Sequence, residues 1–171
     1  LTTTPVSDLE RELRRGRFVF TAEMAPPQSC GTEKMLSVIE LIKPYVTAIN
    51  FTDASAARPK MSSIACRNIA IDKGAEPVLQ ISARDTTRVR LQSDIIGINA
   101  MGVRNVLCIS GDSNRVSQSP LGNMNILDVD SIQMLWILRR MRDEGIYLDG
   151  RIIKERPGFF LGAGSSPFAL K

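Results

Sequence analysis

Two stretches of this chain repeat each other. Gly74-Ala75-Glu76-Pro77-Val78-Leu79-Gln80-Ile81-Ser82 and Gly102-Val103-Arg104-Asn105-Val106-Leu107-Cys108-Ile109-Ser110 each set a helix-stopping glycine before a short apolar run. Each run then breaks into polar residues, Ser82-Ala83-Arg84-Asp85 in the first and Ser110-Gly111-Asp112 in the second. The same ending occurs twice upstream, where Phe18 to Ala22 runs into Glu23 and Ala48 to Phe51 runs into Thr52-Asp53. Nearly continuous Val/Ile/Leu runs are the mark of buried parallel strands. Polar groups collected where such strands finish are where barrel and open-sheet enzymes carry their chemistry. The pattern therefore points to an active site at one end of a parallel sheet.

Helical segments alternate with these runs. Ser7 is placed to cap a helix over about Asp8 to Arg15 that Gly16 closes, and strand one is predicted from Phe18 to Met24. Thr32 is expected to cap a second helix, with Met35, Leu36, Ile39 and Ile42 at helical spacing and Pro44 as its stop. Strand two covers Thr47 to Thr52, a third helix Ser63 to Lys73, and strand three Pro77 to Ser82. Asp85 or Thr86 is expected to cap the fourth helix, which ends at Gly102 ahead of strand four, Asn105 to Ser110. A polar loop from Asp112 to Asp128 has a length that usually signals function or mobility. A fifth helix starts at Asp130 or Ser131 and stops at Gly145, Tyr147 to Arg156 resists assignment, and strand five is predicted at Gly158 to Leu161.

Strand starts recur at about 29 residues, a comfortable βα unit. The 171 residues thus read as a single α/β domain. Five such units are compatible with a complete doubly wound sheet or with the first five of the eight in a (β/α)8 TIM-type barrel, which runs to about 250 residues. The barrel is the favoured expectation, because Ser166 to Lys171 reads as the opening of another loop.

Composition removes several classes of function. With no histidine, neither Ser-His-Asp nor Cys-His catalysis can be assembled within the chain, and no metal site is expected. Proton transfer falls to carboxylates, Lys, Tyr or water. The three cysteines, Cys30, Cys66 and Cys108, are too few and too scattered for a disulfide framework. No apolar run approaches the roughly 20 residues of a membrane helix, and the N-terminal residues do not read as a signal peptide, so a cytoplasmic protein without a membrane partner is expected. The net charge of +4 is mild. The arginine clusters at 14, 15, 17 and at 139, 140, 142 lack interleaved aromatics, so solvated helix faces explain them better than nucleic acid does.

Glu23 follows Phe18-Val19-Phe20-Thr21-Ala22 and precedes Met24-Ala25-Pro26-Pro27. A carboxyl at a strand mouth between apolar residues is expected to be partly desolvated, which favours its protonated form and suits a general acid. An ordinary charge at a strand end fits the spacing equally well. Ser110-Gly111-Asp112 reads either as a turn presenting N–H groups to an anion or ring carbonyl, or as a common Gly-Asp turn. Gly162-Ala163-Gly164-Ser165 lacks dinucleotide and P-loop spacing, and Thr52-Asp53 and Arg84-Asp85 fit helix caps equally well. Their shared location is what raises all of them.

The same residues resemble the methylenetetrahydrofolate reductase family, flavin-dependent (β/α)8 barrels. Phe20-Thr21-Ala22-Glu23-Met24-Ala25-Pro26-Pro27 is similar to the family's aromatic-x-x-Glu-x-x-Pro-Pro signature. Asn50-Phe51-Thr52-Asp53, Gln80 to Arg88, Val106 to Asp112, Asp128 to Ser131 and Leu161 to Pro167 follow in family order. The resemblance implies reduction of methylenetetrahydrofolate to methyltetrahydrofolate in one-carbon metabolism, by hydride transfer from a reduced flavin. It makes Glu23 the general acid and Asp112 the carboxylate between flavin and pterin. It puts Thr52, Asp53, Gln80, Ser82, Ser110, Gly111, Gly162, Ala163 and Ser165 with Asp112 around the flavin, which is FAD or alternatively FMN. Gln80 and Ser110 stand where members often carry histidine and arginine. The resemblance also implies an electron donor, NAD(P)H or a partner subunit, and an oligomer, with three further βα units carrying other site residues. Two alternatives are a non-catalytic flavin- or folate-binding subunit that needs a partner chain, and a folate- or corrinoid-linked methyltransferase barrel. The Glu23-Pro26-Pro27 signature weighs against the latter.

Overall fold

Local capping chemistry sets most of the element boundaries. The computed structural model describes residues 4–112 and 128–165. Ser7 accepts from the Glu10 N–H and opens α1 (Asp8–Arg14), after which Gly16 takes a left-handed φ of 68°. Strand β1 (Thr21–Met24) leads to α2 (Glu33–Ile42), β2 (Ala48–Phe51), α3 (Ser63–Asp72) and β3 (Pro77–Ser82). Helix α4 (Arg88–Ala100), β4 (Asn105–Ile109), α5 (Ser131–Asp143) and β5 (Phe160–Ala163) complete the order. Asp130 and Gln133 form a reciprocal capping box on α5.

Every strand pairs in parallel with its sequence neighbour, in the order β1-β2-β3-β4-β5. A doubly wound sheet reverses its strand order and covers both faces with helices. Here one row of in-register residues, Met24, Phe51, Leu79, Val106 and Leu161, lies under the helices. Met35 and Ile39 of α2 and Cys66 and Ala70 of α3 pack on its β1–β2 side. Leu91, Ile95 and Ile98 of α4 and Met134, Leu138 and Met141 of α5 pack on its β3–β5 side. The four crossover helices among the described residues therefore share one face, and the sheet is that of a (β/α)8 barrel over five of its strands. The long Asp112–Asp128 loop, apart from its two end residues, falls outside the described residues.

The opposite, concave face carries the row Glu23, Asn50, Val78, Asn105 and Phe160. Its lower end is apolar, where Leu9 of α1 packs with Ala48 and Val78. Polar bonds hold α1 there. Glu76 accepts from the N–H groups of Asp8 at 2.7 Å and Leu9 at 2.9 Å, so a carboxylate sits at the positive end of the helix. Asn105 donates to the same Glu76 and accepts from Ser7 at 2.6 Å.

Several boundaries differ from the sequence expectation, each for a physical reason. β1 starts at Thr21 rather than Phe18, since β2 offers partners only from Thr47 onward, whose N–H reaches Phe20 O. Phe18 and Phe20 stay exposed and stack edge to face at 5.1 Å. β5 is shifted to Phe160–Ala163 because Asn99 ties up both backbone groups of Gly158. Thr87, not Asp85 or Thr86, caps α4, because Ala83–Asp85 forms a 3-10 turn and Asp85 is engaged by Arg84. Thr32 stands before α2 in helical backbone and makes no cap bond, and Pro44 lies inside a 3-10 turn, Lys43–Tyr45. The unassigned stretch is a tight excursion closed by an Ile146–Ile152 bridge.

Arg67 is fully buried between α3 and α4, where it donates to Ile98 O at 3.4 Å and meets Met101 Sδ at 3.8 Å. Burial without a carboxylate pulls its pKa down to about 10. Cys66 and Cys108 are free, buried thiols, pushed up to about 11 and about 12 by burial, while Cys30 is exposed. Arg14, Arg15, Arg17 and Arg139 are exposed, whereas Arg140 and Arg142 are half-buried over the Trp136 and Phe159 rings, and acids pair with both clusters, as in Arg14–Glu10 and Arg140–Glu144. No helix among the described residues is long and apolar enough to cross a membrane.

Glu76→Ala is expected to lower stability by about 2 kcal/mol, since two helix N–H groups lose a charged acceptor. Urea unfolding measures the loss, and faster amide exchange confined to α1 identifies its origin.

Candidate active site

Parallel strands deliver all their C-terminal tips to the same end of the sheet, and the polar residues gather there. Glu23 projects from β1 onto the concave face and is exposed. Gln80 of β3, itself buried, donates from Nε2 to Glu23 Oε2 at 3.3 Å. Between them on β2 lies Asn50, whose Oδ1 is buried with no donor among the described residues. The desolvation expected for Glu23 is not found. Its apolar neighbour Met24 points under the helices, because side chains alternate across a strand. Flanking residues in the sequence therefore do not surround the carboxyl in space.

Beyond β2 the chain turns through a strained loop. Ala54, Ala56 and Ala57 all have left-handed φ, at 41°, 58° and 51°. Residues with a Cβ pay roughly 1–2 kcal/mol each for this conformation, so neighbours must impose it. Asp112 accepts the Ala56 N–H at 2.5 Å, and Arg84 donates to Ala54 O at 3.0 Å. Lys60 Nζ donates to Ser55 Oγ at 2.6 Å, and the buried Thr52 hydroxyl lies 3.5 Å from the same oxygen.

Arg84 is 7% exposed. Its guanidinium also engages the Asp85 carboxylate through Nε and Nη2, and it donates from Nη1 to Asp112 O at 3.4 Å. The Asp85 bond, followed by the charges of Asp85, Asp112 and Asp53, raises its pKa, which keeps it cationic. Asp53 does not cap α3, a role Ser62 fills. Instead it joins the tips of β2 and β3, accepting the Ser82 N–H at 2.9 Å and the Ser63 hydroxyl at 3.5 Å. Burial raises its pKa, outweighing these donors.

Gly111 has φ 83°, and a Cβ there would collide with Ser82 Oγ and lie 3.0 Å from Arg84 Cβ. Ser82 is fully buried beneath this glycine, with no partner for its hydroxyl among the described residues, so it forms the underside of the site rather than its surface. Ser110 is exposed, its hydroxyl 3.1 Å from that of Ser131. On β5, Gly162 faces the concave side beside Leu107. Ala163 lies on the other side, along a groove with Leu135 and Trp136 of α5, and Ser165 is exposed just past the strand. Bonds between strand tips thus join Glu23 to Gln80 across β2, Asp53 to Ser82, and Asp112 to Ala56 across β3, whereas Ala163 turns away. Sequence reasoning missed Asn50 as an unpartnered group, Lys60, and the part Arg84 plays. Only Arg84-Asp85 carried a signal, and it read as a cap.

Among the described residues no three Cys, Asp or Glu side chains meet as a metal site. The donor set fits a flat heteroaromatic ring. Neutral amide and hydroxyl groups at Gln80, Thr52 and Ser110 can bond its edge, and Gly162 leaves room where a side chain would stand. Fold and site together define a barrel-type α/β scaffold with an acidic, amide-lined mouth. A sequence profile of the methylenetetrahydrofolate reductase family matches residues 8–135, so the chain belongs to that family. No curated protein matches the chain.

Gly111→Ala is expected to cost about 2–4 kcal/mol through left-handed strain and the collision with Ser82. Adding Ser82→Ala should return part of the loss in urea unfolding, since the colliding oxygen is then gone. For Asp53, a folded pKa above the ordinary 3.8 means that the native state holds its proton more tightly. The contribution of this carboxyl to stability is therefore complete below pH 3.8 and is lost as pH rises through the raised value. Asp53→Asn keeps an acceptor for Ser82 and should flatten that segment of the stability–pH curve.

Proposed function

We propose that this protein reduces methylenetetrahydrofolate to methyltetrahydrofolate with a bound flavin, FAD in the first instance and FMN as the alternative. The observation that carries this reading is the exposed Glu23 carboxylate on the concave face, bonded to Gln80 and opening at the same sheet end as Gly111-Asp112. Family membership supplies the reaction class. The flavin, when bound, supplies hydride chemistry that no side chain of this protein can perform.

The residues have separable tasks. Glu23 holds the proton delivered to the folate amine as the methylene bridge opens. Gln80 occupies one carboxyl oxygen of Glu23 and leaves the other free to face substrate. Asp112 offers a carboxylate to the hydrogen-bonding edge of the pterin. Thr52, Gln80, Ser110, Gly111, Gly162 and the backbone at Ala163 and Ser165 hold the ring system, with Asp53 and Ser82 bracing them from below. An external reductant, NAD(P)H or a partner subunit, restores the flavin, and the working unit is an oligomer in the cytoplasm.

Glu23→Gln is expected to retain flavin absorption while methylenetetrahydrofolate-dependent reoxidation of the reduced flavin slows by about 10²–10⁴-fold, the usual loss for a general acid. A variant that reoxidises its flavin at the parent rate would remove Glu23 from this role. A purified parent protein without flavin absorption would sink the cofactor assignment.

A further inference from the structure

We infer that Arg84 is a positioning residue for Asp112, holding that carboxylate in place by clamping the backbone of two strand-tip loops. The inference rests on the reading of Asp112 as a folate-facing group. Arg84 is buried and lies behind the mouth, so it acts through other groups. Its Nη2 holds Ala54 O at 3.0 Å, its Nη1 holds Asp112 O at 3.4 Å, and Asp85 fixes the guanidinium from a third side. Asp112 in turn accepts the Ala56 N–H, which closes a ring of bonds from Arg84 through Ala54–Ala56 and Asp112 back to Arg84.

Two features make this ring decisive for Asp112. The loop it crosses is left-handed at three alanines and does not hold that shape by its own preference. The residue before Asp112 is Gly111, packed against Ser82 and the Arg84 Cβ, so the approach of the chain to Asp112 is set by the same side chain. A planar fork satisfies three acceptors in different directions at once, whereas an ammonium group on a flexible stem does not. Charge alone is therefore insufficient, and lysine separates the clamp from simple electrostatics.

The test uses the full chain carrying Arg84→Lys. Amide exchange at Ala56 is expected to quicken at least tenfold, while the Ser82 amide, held by Asp53, keeps its parent rate. KM for methylenetetrahydrofolate should rise about tenfold with kcat and flavin content near parent values. Arg84→Lys combined with Asp112→Asn should bind folate no more weakly than Asp112→Asn alone, because residues acting through one another are not additive. Unchanged exchange at Ala56, or additive losses in the double variant, overturns the proposal. Asp85→Asn, on the exposed side of the clamp, provides a gentler variant if lysine is not tolerated. Several-fold faster Ala56 exchange supports the clamp, and a parent rate overturns it. If the parent protein shows no folate-dependent turnover, the functional reading fails by itself and Ala56 exchange alone decides the clamp.

Discussion

The parallel register is the constraint on which the rest of this molecule depends. It aligns Met24, Phe51, Leu79, Val106 and Leu161 into one apolar row, and four helices bury that row from a single side. Burial of apolar area is the dominant favourable term in folding. Slipping β1, β2, β3 or β4 by one residue would turn its part of the row toward the concave face and turn Glu23, Asn50, Gln80 or Asn105 under the helices. The register that buries the core is thus the same register that sends Glu23, Asn50 and Gln80 to the open side. Core and site are two faces of one arrangement.

At the tips, electrostatics and backbone geometry replace apolar packing as the organising force. Three connections run between strand tips: Gln80 of β3 across β2 to Glu23 of β1, Asp53 to the Ser82 amide, and Arg84 to the loops bearing Ala54 and Asp112. Each joins groups far apart in sequence, and each has one buried member, Gln80, Ser82 or Arg84, for which a missing partner costs more than it would on the surface. The surface ion pairs of α1 and α5 are a different matter. Most have at least one partner open to solvent and contribute little individually, although Glu10 of the Arg14–Glu10 pair is itself buried.

Much of this was legible beforehand, because glycine and proline punctuation and runs of Val, Ile and Leu carry strong local signals. Gly74 and Gly102 closed helices where expected, Ser7 and Asp130 capped them, and β3 ran from Pro77 to Ser82 as read. The errors arose where a residue's fate depends on a neighbour in space. Phe18 looked like strand but had no strand beside it to pair with. Glu23 looked desolvated because Met24 stood next to it, yet alternation put the two on opposite faces. Arg84-Asp85 looked like a cap because Asp is a good capping residue, but the aspartate was taken by its own neighbour. The left-handed alanines could not have been foreseen, since alanine favours right-handed helix and only the imposed bonds explain them.

The guanidinium of Arg67 has a consequence for how the seam between α3 and α4 responds to solvent. It leans on a carbonyl oxygen and a thioether rather than on an acid. Acidification has nothing to titrate there, and dissolved ions reach the buried guanidinium poorly, since only its Met101 neighbour opens to solvent. Brine or low pH will loosen the outer helix pairs first and leave this joint intact. Its vulnerable direction is alkali, where the desolvated guanidinium gives up its proton more readily than a solvated arginine does.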